Sequence, residues 1–113
     1  MTAYAIAYLR NVRFGADIIE YLHRVDATLA PYDGHFIVHG DDAEPIEGEW
    51  SGAPIVIEFP DYDHLRGWYE SPAYQDILPL RTDHIDGSAV IVDGVPDDYD
   101  PSATAARLRA LAG

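Results

Sequence analysis

Alternation opens the chain. Residues 3–10 read Ala-Tyr-Ala-Ile-Ala-Tyr-Leu-Arg, which puts Ala3, Ala5, Ala7 and Leu9 on one face of a strand and Tyr4, Ile6, Tyr8 and Arg10 on the other. Both faces are largely apolar or aromatic, so the strand is expected to be covered on both sides. The period then changes. Between about residues 15 and 30, Ile18, Leu22, Val25 and Leu29 recur at steps of four, three and four, the stripe of an amphipathic helix. Asp17 suits its first turn, and Pro31 followed by Asp33-Gly34 ends it. Residues 35–39 form a second predicted strand.

Residues 40–52 are acidic and rich in turn formers (Gly40, Asp41, Asp42, Pro45, Gly48, Gly52), and read as an exposed excursion. Ile46 and Trp50 are its large apolar residues, suited to clamping it onto the body or onto a partner. A third strand, 53–59, follows, with Ile55, Ile57 and Phe59 facing one way and Val56 and Glu58 the other. Asp61 or Asp63 can cap a short helix bearing Tyr62, Leu65, Trp68 and Tyr69. Ser71-Pro72 then starts another, as N-cap and first helical residue, with Tyr74, Ile77 and Leu78 on its apolar side. Asp86-Gly87 turns into a last strand over 88–93, and Asp100-Pro101 opens a terminal helix bearing Leu108 and Leu111. So short a helix is marginal alone, and either docks or frays.

The order β-α-β-β-α-β contains an echo. Leu29-Ala30-Pro31, then Asp33-Gly34, in the first half corresponds to Ile77-Leu78-Pro79, then Asp86-Gly87, in the second. Two split βαβ halves predict an α+β, ferredoxin-like sandwich with a C-terminal helical tail. In the usual strand order 4-1-3-2 the first and third strands are central, and are expected to be parallel neighbours. Two helices cover one face of such a sheet, yet those strands offer apolar groups on both. A homodimer packed sheet against sheet is therefore expected.

Charge narrows the partners. The formal net charge is −13, from 20 acidic residues against seven arginines and no lysine. Such a field repels phosphate backbones and anionic lipid, so neither nucleic acid nor a membrane is an expected partner. The apolar run 3–9 is too short to span a bilayer and lacks the flanks of a signal peptide, which makes the cytoplasm the expected location. Without cysteine there are no disulfides and no thiol chemistry.

Chemistry is thinly signalled. His35 and His39 share a face of a regular strand but lie roughly 13 Å apart, too far to hold one metal. Glu20-x-x-His23 and His84-x-Asp86 are single pairs where metal sites need several ligands. No serine sits in a nucleophile elbow. No metal and no cofactor is expected. Glu58, a carboxylate within an apolar strand, needs a partner if buried. It reads either as an ion pair with Arg10 or as a general base beside a cavity, with His39 as a second acid/base candidate. Trp68, Tyr69, Tyr74 and Arg81 form the other cluster. They are either core aromatics with a snorkelling arginine, or ligand-binding groups that orient an aromatic or carboxylate molecule between sheet and helices, with Arg10 as a further contributor.

Phe59-Pro60, Trp68-Tyr69-Glu70-Ser71-Pro72-Ala73-Tyr74-Gln75 and Leu80-Arg81 together resemble the signature of the DUF1330 family. The likeness extends to Ala30-Pro31-Tyr32 and to Glu47-Gly48 before Trp50, over roughly residues 2–95. The resemblance implies a dimeric α+β barrel. It names no reaction, because the family is uncharacterised and relatives of its fold include cofactor-free monooxygenases, small isomerases, haem-dependent proteins and proteins of no known activity. Where the family tends to show Gly-Gly and Arg-Gly-Gly, this chain has Asp33-Gly34 and His39-Gly40-Asp41, a pH-dependent donor in place of a permanent cation. The expected organisation is a ferredoxin-like domain over 1–95 with an acidic linker and short helix over 96–113. The expected function is small-molecule binding, as a cofactor-independent enzyme on a small carbonyl or aromatic acid or, alternatively, as a non-catalytic sequestering or assembly module.

Overall fold

The computed structural model describes residues 1–40 and 43–113; Asp41 and Asp42 of the acidic excursion lie outside the described residues. The elements are β1 (Ala3–Arg10), α1 (Ala16–Leu29), a 3-10 turn (Ala30–Tyr32), β2 (His35–His39), β3 (Ala53–Phe59), α2 (Tyr62–Glu70), α3 (Pro72–Thr82), β4 (Asp86–Asp93) and α4 (Pro101–Ala112). The strands make one sheet in the order β2-β3-β1-β4. This is the ferredoxin-like topology that the element order predicts.

One expectation about that sheet is overturned. β1 and β3 are antiparallel, with Ala3 opposite Phe59 and Leu9 opposite Ala53. The reason is topological. The α1 crossover makes β1 and β2 parallel, and β3 returns from β2 as a hairpin, so it enters the space between them in the opposite sense. β4 likewise pairs antiparallel to β1, with Ala3 opposite Asp93 and Arg10 opposite Asp86. β4 begins at Asp86 rather than residue 88, so Asp86-Gly87 already belongs to the strand and the turn lies just before it. α3 also runs through Pro79 to Thr82, one turn past the expected exit.

Alternation sorts the sheet as the pattern of β1 requires. Ala3, Leu9, Ile57 and Phe59 are buried beneath the helices. The other face, at Tyr4, Ile6, Tyr8, Val56, Val90 and Val92, has no helix over it, and Ile6, Val90 and Val92 are exposed on it. Trp50 folds back onto this outer face: its ring meets Tyr8 edge-on at 4.6 Å, and Ser51 Oγ hydrogen-bonds the Tyr8 hydroxyl at 3.0 Å. Ile46 stays exposed.

The buried stripe of α1 is rotated from the expected one. Ile18, Val25 and Leu29 are buried, but Tyr21 and Thr28 complete the face and Leu22 is exposed. Polar atoms explain the rotation. The Tyr21 hydroxyl pairs with that of Tyr74 at 2.9 Å, and Thr28 Oγ1 accepts the Trp68 indole N–H at 3.0 Å. Thr28 in turn donates to the Val25 carbonyl, so no buried group here lacks a partner.

The joint between α2 and α3 forms as its residues dictate. Asp61 caps α2 by accepting from the His64 backbone N–H, and Ser71 caps α3 by accepting from Tyr74 N–H at 3.2 Å. Ser71 Oγ also donates to the Trp68 carbonyl at 2.7 Å, closing the end of α2 with the start of α3. Gly34 shows a different constraint, since a Cβ there would lie 2.6 Å from the Phe59 ring and 2.7 Å from Leu29. α4 makes no substantial contact with any other element among the described residues, and the molecule measures 55 × 35 × 21 Å. Among the described residues no helix is long and apolar enough to cross a membrane. Replacing Ser71 with Ala is expected to cost about 1–2 kcal/mol in urea denaturation, because one buried hydroxyl serves two helix ends; an unchanged midpoint would show that the joint contributes nothing to stability.

Candidate functional site

Small side chains on the sheet leave room that the helices do not fill. Ala5, Ala7 and Ala89 form the floor of a cavity of about 770 Å³, with Ile55, Ile57 and Ile91 around them. That volume falls within the range typical of small-molecule sites. Trp68, Tyr69 and Tyr74 line it from α2 and α3, Tyr21 from α1, and Phe36 and His39 from β2. The walls are apolar over most of their surface. The polar groups are few and come from opposite sides.

Two arginines line it, Arg66, which pairs with Glu70 at 3.0 Å, and Arg81. Arg81 is the one without an acid among the described residues. Its side chain is half-buried, and its guanidinium carbon lies 5.8 Å from the centre of the Tyr21 ring. Burial works against its charge, but the neighbouring phenols of Tyr74 and Tyr21 more than offset this and its pKa is raised. Arginine at this position is a permanent charge in any case. Among the described residues Arg81 has no carboxylate partner, whereas Arg13, Arg24 and Arg66 each meet an acid. Tyr21 shows the complementary effect: burial, and then the adjacent Tyr74, push its phenol far above the usual value. The pair is therefore a neutral, hydrogen-bonded dyad beside a fixed cation.

The sequence candidates divide by face. Trp68, Tyr69, Tyr74, Arg81 and His39 all line the cavity. Trp68 and Tyr74 are also core: both are 2% exposed, with ring centroids 4.0 Å apart. Tyr69 is exposed at the rim, near Glu70 and Gln75. Glu58 and Arg10 stand elsewhere. Glu58 lies on the outer face, between Tyr4 of β1 and His35 of β2 in register. The expected ion pair between them does not form. With β3 antiparallel to β1, Arg10 sits six residues beyond the partner of Glu58, roughly 20 Å away. Its guanidinium instead lies over the Tyr8 ring, at 5.4 Å.

His35 and His39 do not share a face either. A register shift between Phe36 and Val38 inserts one residue, leaving His35 opposite Glu58 on the outer side and turning His39 inward opposite Ile55. His39 then stacks on Phe36, with rings 4.3 Å apart and 12° from parallel. No group of three His, Asp or Glu side chains is placed to hold a metal among the described residues. Two contributors escaped sequence reasoning. Tyr21 lies between the positions of the simple leucine stripe, and its only signal was an aromatic one residue before Leu22. The alanines of β1 were visible, but as small packing residues.

The buried dyad has a pH signature. Because the folded-state pKa of Tyr21 is raised, the native state holds its proton where the unfolded chain, with an ordinary phenol near pH 10, has begun to lose it. Stability is thus fully present below about pH 10 and falls above it. Urea denaturation of wild type from pH 8 to 11 is expected to show that fall. Tyr21→Phe is expected to flatten it, at a cost of about 1 kcal/mol at neutral pH for the lost hydroxyl pair. Parallel pH profiles in the two proteins would contradict the assignment.

Known proteins match this arrangement at the level of family and fold. No curated protein matches the chain. Among solved structures, a protein of unknown function from Rhodopseudomonas palustris superposes with a TM-score of 0.62 at 12% identity, covering 84% of this chain and 83% of that one. A dimeric ferredoxin-like protein of unknown function from Jannaschia sp. CCS1 gives a TM-score of 0.58 at 17% identity, over 80% and 98%. SnoaB, a cofactor-independent oxygenase from Streptomyces nogalater, gives 0.51 at 12% identity, over 88% and 96%. At these identities the likeness is one of fold, and it agrees with the ferredoxin-like topology. The domain of unknown function DUF1330 matches residues 2–95, from the start of β1 to just past β4, and the chain belongs to that family.

Proposed function

We propose that the protein binds a small, largely apolar organic acid, an aromatic acid above all, in the cavity between sheet and helices. One observation carries this reading: Arg81 is half-buried in an apolar cavity and has no carboxylate partner among the described residues of a chain with 20 acids. A guanidinium removed from water is best satisfied by a carboxylate, with two parallel hydrogen bonds. The Tyr74 and Tyr21 hydroxyls supply neutral hydrogen bonds beside it. Tyr69 offers a ring face to an aromatic body, which would lie over the floor of Ala5 and Ala7. His39, across the cavity, is the acid/base candidate if a reaction follows binding.

The uncovered sheet face supports a homodimer. Ile6, Val90 and Val92 leave an apolar patch on the side without helices, and such patches mark association surfaces. The Jannaschia fold neighbour is itself described as dimeric. Sedimentation velocity at micromolar concentration is expected to show a dimer, and Val92→Asp, at a partly exposed position, a monomer with unchanged circular dichroism. A monomeric wild type would remove the dimer from this reading.

Calorimetric titration against a panel of aryl carboxylates and their methyl esters tests the ligand. Acids are expected to bind and esters to bind at least about tenfold more weakly, since a charge-assisted pair contributes roughly 1.5–3 kcal/mol. Arg81→Gln is expected to erase that difference, and Ala7→Leu to block acids and esters alike by filling the floor. Equal affinity for acid and ester in wild type would rule out Arg81 as the anchor.

A further inference from the structure

The family match ends at residue 95, yet the chain continues into a complete helix. Asp100 caps α4 by accepting from Ser102 N–H, and the Tyr99 hydroxyl pairs with Thr104 Oγ1 at 2.7 Å, so its start is well built. A lone 12-residue helix is nonetheless marginal in water and needs a surface. Thr104, Leu108 and Leu111 follow steps of four and three and form one stripe, with Arg107 at its edge and Arg109 further round the helix beyond Leu108. Leu108 is 56% exposed and Leu111 79%. Residues 101–113 contain no acid.

The excursion before β3 has the opposite character. Residues 40–52 carry Asp41, Asp42, Glu44, Glu47 and Glu49 and no base. Ile46, amid those glutamates, is 91% exposed. An apolar residue between acids on one segment thus matches an apolar stripe on a basic helix on the other.

Within one chain these two segments lie apart. The tail leaves the sheet at Asp93, level with Ala3, whereas the excursion joins it at Ala53, level with Leu9. β4 and β3 are two strand positions apart, so the corners are separated by roughly 10 Å across the sheet and 20 Å along it. The Trp50–Tyr8 contact puts the excursion on the outer side of the sheet, the side offered to a second copy. A twofold axis between two such faces, if set oblique to the strands, would carry one copy's tail corner over the other copy's excursion corner.

We propose that α4 is an exchanged arm: in the homodimer, its Leu108/Leu111 stripe docks on the Ile46 segment of the second copy, and Arg107 and Arg109 meet the partner's acidic excursion. The inference rests on the homodimer proposed above and adds what holds the two copies beyond the sheet face. It also gives the excursion a role that the single chain leaves empty.

Charge reversal distinguishes exchange from docking within one chain. The double variants R107E/R109E and E47R/E49R alter exposed positions only, and circular dichroism is expected to match wild type for both. R107E/R109E sets acid against acid, and E47R/E49R sets arginine against arginine beside Ile46, so each alone is expected to weaken dimerisation about tenfold or more, read by sedimentation equilibrium. When the two variants are mixed, with a fluorescent label of different colour on each, the mixed dimer regains opposite charges at both arms. It is expected to exceed its statistical share, and added salt to abolish the excess. Variants that dimerise like wild type would overturn the arm. So would a mixture with no excess of mixed dimer, because docking within one chain is not repaired by mixing. A monomeric wild type would overturn the dimer itself and the arm with it, an outcome separate from a wild-type dimer indifferent to these charges.

Discussion

The structure turns on how Trp68 is held. Its ring fills the space between Phe59 on the sheet and Tyr74 on α3, its indole N–H is satisfied by Thr28 on α1, and its carbonyl accepts from Ser71. A large apolar ring with one polar handle can be buried only where a partner meets that handle. Meeting it fixes the rotation of α1, which brings Tyr21 rather than Leu22 inward and so creates the Tyr21–Tyr74 hydroxyl pair. The same packing sets Arg81 beside that pair. The helix layer is thus positioned by a short chain of hydrogen bonds running through otherwise apolar contacts.

The cavity follows from a mismatch between two layers. The helix side supplies aromatic rings, which are wide and stiff, while the sheet side supplies Ala5, Ala7 and Ala89, which do not reach up to meet them. A packed interior ordinarily leaves no void of this size. Of the two arginines that border the space, Arg66 is paired with Glu70, and Arg81 is set without an acid in a largely apolar wall among the described residues. Arg10, Arg107 and Arg109 also lack an acid among the described residues, but they are exposed; Arg81 is set apart by lacking one while half-buried.

Much of the path to this site was legible. Ser71-Pro72 specifies a helix start by local chemistry alone, and Ser71 does cap α3. β2 and β3 have the bounds that their runs of apolar residues indicate, because alternation and flanking glycines act within a few residues. The pairing sense of β1 and β3, the facing of His39 and the separation of Glu58 from Arg10 were not legible. Each depends on a partner strand distant in sequence: a hairpin that reverses β3, and a single inserted residue in β2 that flips everything after it. Period-two reasoning along one strand assumes a regular ladder, and one bulge invalidates it.

The sequence by itself determined the elements, their order, the two-faced character of β1, the acidic field and the family to which the chain belongs. These rest on interactions between residues close in the chain, or on summed properties such as charge. Only the tertiary structure decided that Trp68, Tyr69, Tyr74, Arg81 and His39 border one space while Glu58 and Arg10 stand on the other side of the sheet, because a strand separates its two faces by the direction of each side chain and the sense of β3 sets which end meets which. It alone revealed Tyr21 as the third member beside Arg81, since hydroxyl pairing across 53 residues leaves no trace in local periodicity.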